Sequence, residues 1–403
     1  MSEIVLVNIT GKDREGLTAG FTRILSIHNA VILDISQAVI FDHLSLGLLV
    51  EIPEASQSSS ILKDLLFESH KLGTEISFSA VDPEQYESLT GESEKERLTI
   101  TLLGRRLTAF HVSKVSHALS SHHMNIDNII RLSDRMPLKA PDENHMASIQ
   151  FSASGKKPVS ANLREDLMQV ARNSGMDISF QVDDIYRTNR KLVVFDMDST
   201  LIRTEVINEL AALAGVHDEV ADITRLAMEG KMEFDEGFRK RVALLEGLEK
   251  EKIDALPARL PLSDGAERVT RTLKQLGYRI GILSGGFTFV GEYLKEKLNL
   301  DYVFANELDM KDGKATGQVK GEIVNGARKA SLLRELAGKE GLSLSQTIAV
   351  GDGANDLPMI SIAGLGVAFN AKPVVREKAD SAISSVGLDG LLYLLGIRDR
   401  ELS

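Results

Sequence analysis

Four apolar residues, Leu192-Val-Val-Phe195, run directly into two carboxylates one residue apart, Asp196 and Asp198. A run this short and uniformly apolar suits a strand covered on both faces, the kind found inside parallel sheets. Residues i and i+2 of a strand share a face, so at its carboxyl end both acids enter one crevice. Two like charges buried together are costly unless a cation separates them. Mg²⁺ suits such a place, because it takes a few carboxylate oxygens and keeps its remaining waters or phosphate oxygens. A bare Asp-x-Asp can also close a strand in a solvated acidic turn, so other motifs must decide.

The chain after Lys191 alternates strand and helix patterns, which predicts a doubly wound parallel sheet. Arg279-Ile-Gly-Ile-Leu283 ends at Ser284-Gly-Gly-Phe287, and Thr347-Ile-Ala-Val350 ends at Gly351-Asp-Gly-Ala-Asn-Asp356. Lys329 stands near the start of a helix, and Val367-Ala-Phe369 reads as the last core strand. Roughly 205–260 shows helical spacing and no strand, as expected of a cap over the strand ends. The 403 residues contain no cysteine, which removes disulfides, thiolate metal sites and cysteine nucleophiles. The strand ends thus deliver Asp-x-Asp, Ser-Gly-Gly and Gly-Asp-Gly-x-Asn-Asp, with a lysine near a helix start.

Phosphoryl transfer needs that set. A carboxylate nucleophile splits a very slow hydrolysis into two faster steps through an aspartyl-phosphate. Mg²⁺, a lysine and N–H donors spread the charge on the phosphoryl oxygens. Glycines after Ser284 would let the backbone approach closely while the hydroxyl donates.

The first half repeats itself. Ile4–Ile9, a helix stripe at Leu17, Phe21, Ile24 and Leu25, strands near 31–41 and 45–52, a helix through Ile61, Leu65 and Leu66, and Gly73–Phe78 give β-α-β-β-α-β, a ferredoxin-like plan. Leu98, Ile100 and Leu102, then Val112, Val115 and Leu119, then Asn125–Ile130, restart it. Gly175-Met-Asp-Ile-Ser-Phe180 closes the second copy much as Gly73-Thr-Glu-Ile-Ser-Phe78 closes the first. Polar residues 88–97 read as a linker, and 136–145 as an extra loop. The expected divisions are 1–86, 97–184 and 188–403.

The second half resembles the haloacid-dehalogenase-like phosphatases, with Asp196-x-Asp-Ser-Thr, Ser284, Lys329 and Gly351-Asp-Gly-x-Asn-Asp as its motifs in order. Within them it is most similar to the phosphoserine phosphatase family, in Asp196–Glu205, Ala227–Gly230, Phe234–Leu245 and Ser284–Phe287. The resemblance implies Asp196 as nucleophile and Asp198 as general acid and then base. It implies Mg²⁺ held by Asp196, Asp198 (through its backbone carbonyl) and Asp352, with Asp356 supporting the metal and Lys329. Ser284, Gly285 and Lys329 would bind the phosphoryl group and Asn355 would orient it. Arg328 is an alternative to Lys329. Glu205 would pair the substrate ammonium, Arg241 its carboxylate, and Met228 and Phe234 would close over the site. The plainer readings are a first-turn helix acid, a solvated basic face and ordinary core.

The expected reaction is hydrolysis of O-phospho-L-serine to L-serine, the last step of L-serine biosynthesis. The weighed alternatives are phosphoryl transfer to a small alcohol and an amino-acid sensor with a vestigial enzyme half. The Gly11-Lys-Asp-Arg-Glu-Gly16 loop and the repeat resemble ACT domains, small modules that usually bind amino acids. Gly16 would let a ligand carboxylate reach the helix N-terminus and Asp13 would meet an ammonium, unless Asp13 is merely an N-cap. The second copy lacks both residues. ACT-like pairs imply a homodimer and L-serine or another amino acid as effector. A net charge of −11 disfavours nucleic acid and anionic membranes, and the cytoplasm is the expected compartment.

Overall fold

The computed structural model describes residues 3–53, 58–90, 95–136, 145–155, 161–228 and 231–402, and forms two compact units, Met1–Glu94 and Lys95–Ser403. In the first, β1 (Glu3–Lys12), α1 (Leu17–Ile27), β2 (Val31–Ile40), β3 (His43–Ile52), α2 (Ser58–Leu72) and β4 (Glu75–Val81) precede a short helix, α3 (Pro83–Thr90). The antiparallel sheet has the order β2-β3-β1-β4. Alternate residues of β1 (Val5, Val7, Ile9) and β3 (Leu44, Leu46, Leu48) meet Leu17, Phe21, Ile61 and Leu65 of the helices in one core. Leu66, counted in the α2 stripe from spacing, is 51% exposed, because its neighbour Leu65 takes the inward position.

The second unit opens with the same plan: β5 (Glu96–Gly104), α4 (Ala109–Ser121), β6 (Asn125–Arg131), β7 (Ala147–Gly155), α5 (Ala161–Ser174) and β8 (Asp177–Val182). The linker residues 91–94 and loop residues 137–144 fall outside the described residues. β9 (Leu192–Phe195) follows. The cap region contains α6 (Val206–Ala214), α7 (His217–Met228), α8 (Phe234–Ala243) and α9 (Lys250–Asp254). Its two ends meet in the bridge Ile202↔Leu262. Then come α10 (Ala266–Gln275), β10 (Arg279–Phe287), α11 (Thr288–Leu298), the hairpin β11 (Tyr302–Lys311) and β12 (Lys314–Lys320), and α12 (Gly326–Lys339). β13 (Thr347–Gly351), α13 (Leu357–Ile360), β14 (Leu365–Phe369), α14 (Pro373–Lys378), β15 (Ser381–Ile383) and α15 (Leu391–Leu394) complete it.

β9 lies between β10 and β13, parallel to both, with Phe195 level with Ile282 and Val350. That register aligns the carboxyl ends from which the three motifs emerge. Val193 and Phe195 pack with α10 and α11 residues on one face, while Leu192 and Val194 meet α12 on the other. Double burial explains the unbroken apolar run. Val367–Phe369 is not the last strand: β15 pairs parallel to β14 beyond it. β15 in turn pairs antiparallel with β8 at Ser381↔Ser179, so the second βαββαβ copy and the parallel sheet form one surface of 11 strands.

Candidate active site

Asp196 follows the last residue of β9 and is almost wholly buried. Its Oδ1 accepts from the Met197 N–H at 2.8 Å and lies 2.8 Å from Lys329 Nζ. Lys329, on the first turn of α12, is 0% exposed and also reaches Asp356 Oδ1 at 2.6 Å. Burial alone would pull its ammonium down, but Asp196 and Asp356 overcome that and hold it above its ordinary value. Arg328 instead pairs outward with Glu322 and Glu335. The helix turn settles which base faces the cleft.

Asp352 and Asp356 arrive on the loop after β13. Asp196, Asp352 and Asp356 each offer an oxygen, all within 4.8 Å of one another. Burial, followed by the charges of Asp196 and Asp356, pushes Asp352 up to about 8. Asp356 is already engaged, since its Oδ2 accepts from the Gly353 N–H at 2.9 Å and its Oδ1 meets Lys329. The donor set is all oxygen and anionic, and its members repel one another without a counter-charge. Such a set fits a hard divalent cation rather than a soft one.

Asp198 does not join that cluster through its side chain. The chain turns sharply after β9, with Ser199 at φ 57, and Asp198 Oδ1 accepts from the Val206 N–H at 3.0 Å, at the start of α6. Burial, then Glu205 and Asp196, push its carboxyl well above the ordinary carboxylate range. Gly286 makes room for it: a Cβ there would lie 2.4 Å from Asp198 Oδ2. Asp198 thus stands beside Asp196 with its carboxyl held toward the protonated form by burial.

Ser284 is fully buried, and its Oγ accepts from the Gly286 N–H at 2.9 Å. Phe234, the first residue of α8, reaches over the loop: its ring would be 3.2 Å from a Cβ at Gly285. Phe234 stacks on Phe238, which touches Phe287. Next to it, Asp235 accepts from Asn325 Nδ2 at 3.1 Å, tying the cap helix to the N-cap of α12. Asn355 is half-buried on the turn after Asp352.

Glu205 accepts from Ser199 Oγ at 3.1 Å at the rim of the cleft. Lost hydration and the charge of Asp196 raise its carboxyl, against Ser199 and Arg241. Arg241 of α8 is half-buried; burial lowers its guanidinium, and Glu205 and Asp198 oppose that. Its Nη1 donates to Thr224 Oγ1 at 3.4 Å. Met228 ends α7, and its side chain lies outside the described residues, as do residues 229–230.

Three contributors escaped the sequence reading: Thr224, Asn325 and Asn306, whose amide holds the Ser284 loop. Only the Asn-Gly at 325–326, a helix-start signal, was visible in advance. In the first unit, Asp13 is exposed and its N–H donates to the Asp42 carbonyl at 2.7 Å. Gly16, not Asp13, is the N-cap of α1, with φ 85 and open space where a Cβ would be.

A haloacid dehalogenase-like hydrolase family matches residues 190–364, and ACT domain families match residues 3–79 and 98–181. A phosphoserine phosphatase of Streptomyces coelicolor is 41% identical, covering 99% of this chain and 93% of the relative. One of Mycobacterium tuberculosis is 37% identical, covering 99% and 94%. A HAD family hydrolase of Salmonella enterica superposes with TM-score 0.61 at 29% identity, covering 74% of this chain and 98% of its own. With its strand ends, buried lysine and carboxylate cluster joined to that full-length likeness, the chain belongs to the phosphoserine phosphatase family, a haloacid dehalogenase-like hydrolase domain preceded by two ACT domains.

Proposed function

We propose that the protein hydrolyses O-phospho-L-serine to L-serine and phosphate through an aspartyl-phosphate on Asp196. The observation that carries this reading is Asp196 held at 2.8 Å by the buried Lys329, next to Asp198, whose carboxyl burial and the charges of Glu205 and Asp196 hold well above the ordinary carboxylate range. An Asp196 oxygen attacks phosphorus and the bond to the seryl oxygen breaks, with Asp198 giving that oxygen its proton. Asp198, now a base, takes a proton from water, whose oxygen attacks phosphorus and releases phosphate from Asp196. Lys329, Ser284 and Gly285 hold the phosphoryl oxygens, and Asn355 orients them. Mg²⁺, held by Asp196, Asp352 and the Asp198 carbonyl, would offset the phosphoryl charge.

Glu205 and Arg241 carry opposite charges at the cap side of the cleft, as recognition of a zwitterionic amino acid requires. Phe234 over Gly285 supports a role in excluding water; Met228 is assigned the same role from the sequence. For the first unit, the open Gly16 turn supports an amino-acid effector site with Asp13, L-serine being the first candidate. Val31, Ile35 and Val39 are exposed on the edge strand β2, which supports a homodimer. Among the described residues no helix is long and apolar enough to cross a membrane, and the cytoplasm remains the proposed compartment.

The test is phosphate release from O-phospho-L-serine with Mg²⁺ or EDTA, against phosphothreonine and an aryl phosphate. Metal-dependent preference for phosphoserine, lost selectively in Arg241→Ala, is expected. Equal rates on all substrates would discard Glu205 and Arg241 as the readers of serine.

A further inference from the structure

Asn306 lies in β11 where β10 bulges away from it. The pairing runs through Leu283 and resumes at Phe287, opposite Asn306, leaving Ser284, Gly285 and Gly286 out of the ladder. The Asn306 side chain is 2% exposed, and its hydrogen bonds span three backbone groups. Nδ2 donates to the Gly285 carbonyl at 2.8 Å and to the Gly286 carbonyl at 3.2 Å. Oδ1 accepts from the Val324 N–H at 2.9 Å, just before α12, the helix of Lys329.

The peptide joining Gly285 to Gly286 carries the consequence. Its carbonyl accepts from Asn306, and its N–H donates to Ser284 Oγ at 2.9 Å. With Oγ occupied as an acceptor, the hydroxyl proton is left to donate elsewhere, into the cleft where the phosphoryl group is proposed to sit. Hydrogen bonds linked head to tail polarise one another in a low-dielectric interior. The side chain therefore acts on the phosphate through one peptide bond, without touching it.

We propose that Asn306 is a positioning residue for phosphoryl recognition, which fixes the Ser284 hydroxyl as a donor and holds its loop against the entry to the Lys329 helix. The proposal rests on the phosphatase reading above, and not on phosphoserine as the substrate. Asparagine is required by the mixed pattern of two donors and one acceptor on a short stem. An aspartate of the same shape would set an ionised oxygen against two carbonyls unless it were protonated.

A double-mutant cycle tests it, using full-length wild type, Asn306→Ala, Ser284→Ala and the double variant, with inorganic phosphate as competing ligand. Asn306→Ala should lower kcat/KM by about tenfold to a hundredfold, a fraction of the loss from a direct oxyanion donor. The loss should be equal on O-phospho-L-serine and on an aryl phosphate, with weaker inhibition by phosphate. In the Ser284→Ala background the same change should cost less than about threefold. Asn306→Asp, which keeps the shape if the alanine variant folds poorly, should regain activity relative to wild type as pH falls from about 8 to about 6, because a protonated carboxyl can donate to Gly285. Additive losses, or an Asn306→Asp profile parallel to wild type, would overturn the proposal. If wild type spares phosphoserine yet shows the same coupling on the aryl phosphate, the substrate reading falls and the role of Asn306 stands.

Discussion

Gly73-Thr-Glu-Ile-Ser-Phe78 and Gly175-Met-Asp-Ile-Ser-Phe180 occupy the same place in two copies of one plan and meet opposite fates. In the first copy Glu75 and Ser77 face solvent on an edge strand. In the second, Asp177 and Ser179 are 3% and 1% exposed. Asp177 Oδ2 accepts from the N–H groups of Ser384 and Ser385, both at 2.8 Å, and from Ser385 Oγ at 2.6 Å. Ser179 shares a 2.6 Å hydroxyl contact with Ser381. Gln181 donates to the Leu394 carbonyl at 2.9 Å, and Arg190 donates to Gln181 at 2.8 Å. A strand with polar alternate positions can therefore be a solvent face or a docking seam. What differs is whether partners exist to satisfy those groups once water is gone. The helix starts diverge as well: α1 begins at a left-handed glycine, whereas Thr108 and His111 close a capping box on α4.

That contrast separates what holds the second unit together from what makes it react. The largest effect lies on the chemical side. Asp196→Asn should reduce turnover by several orders of magnitude if Asp196 is the proposed nucleophile, with a melting temperature at or above wild type. A substantial residual rate on phosphoserine would remove Asp196 from that role.

Asp177→Ala should do the reverse. It removes the acceptor of two N–H groups and a hydroxyl, at about 2 kcal/mol of stability, with near-normal turnover at ambient temperature. Glu75→Ala at the matching position should change stability by less than about 0.5 kcal/mol. Denaturant melts of the pair check both, and equal losses would erase the distinction between seam and free edge.

The smallest shift should appear with pH. Asp352 is raised to about 8 and Asp356 is raised in the same direction, both mainly by burial. The unfolded chain releases these protons at lower pH than the folded one. Metal-free stability from these groups is therefore full below the ordinary aspartate value and declines as pH rises toward about 8. Melting should fall by a few degrees across that window, and Mg²⁺ should restore more at its upper end. A Mg²⁺ benefit independent of pH would argue against these carboxylates as the cation site.

Much of this molecule is readable along the chain because its signals are local. Periodicity placed β9 and the helices of the cap, and the order of Asp196, Ser284 and Asp352 marked the ends of aligned strands, with Lys329 at a helix start between them. The matching hexapeptides exposed the repeat. Each depends on residues a few positions apart, where side-chain period and turn chemistry act directly. The family resemblance favoured Lys329 over Arg328, but which of the two faces inward needed the packed helix, because adjacent residues on a helix point about 100° apart and only the sheet says which way is inward. Asn306 shows no signal in its neighbourhood, since its partners come from β10 and the approach to α12. Asp177 meets its donor partners 207 and 208 residues onward. Whether a polar side chain is solvated or buried depends on what covers it, and that covering is supplied by distant chain.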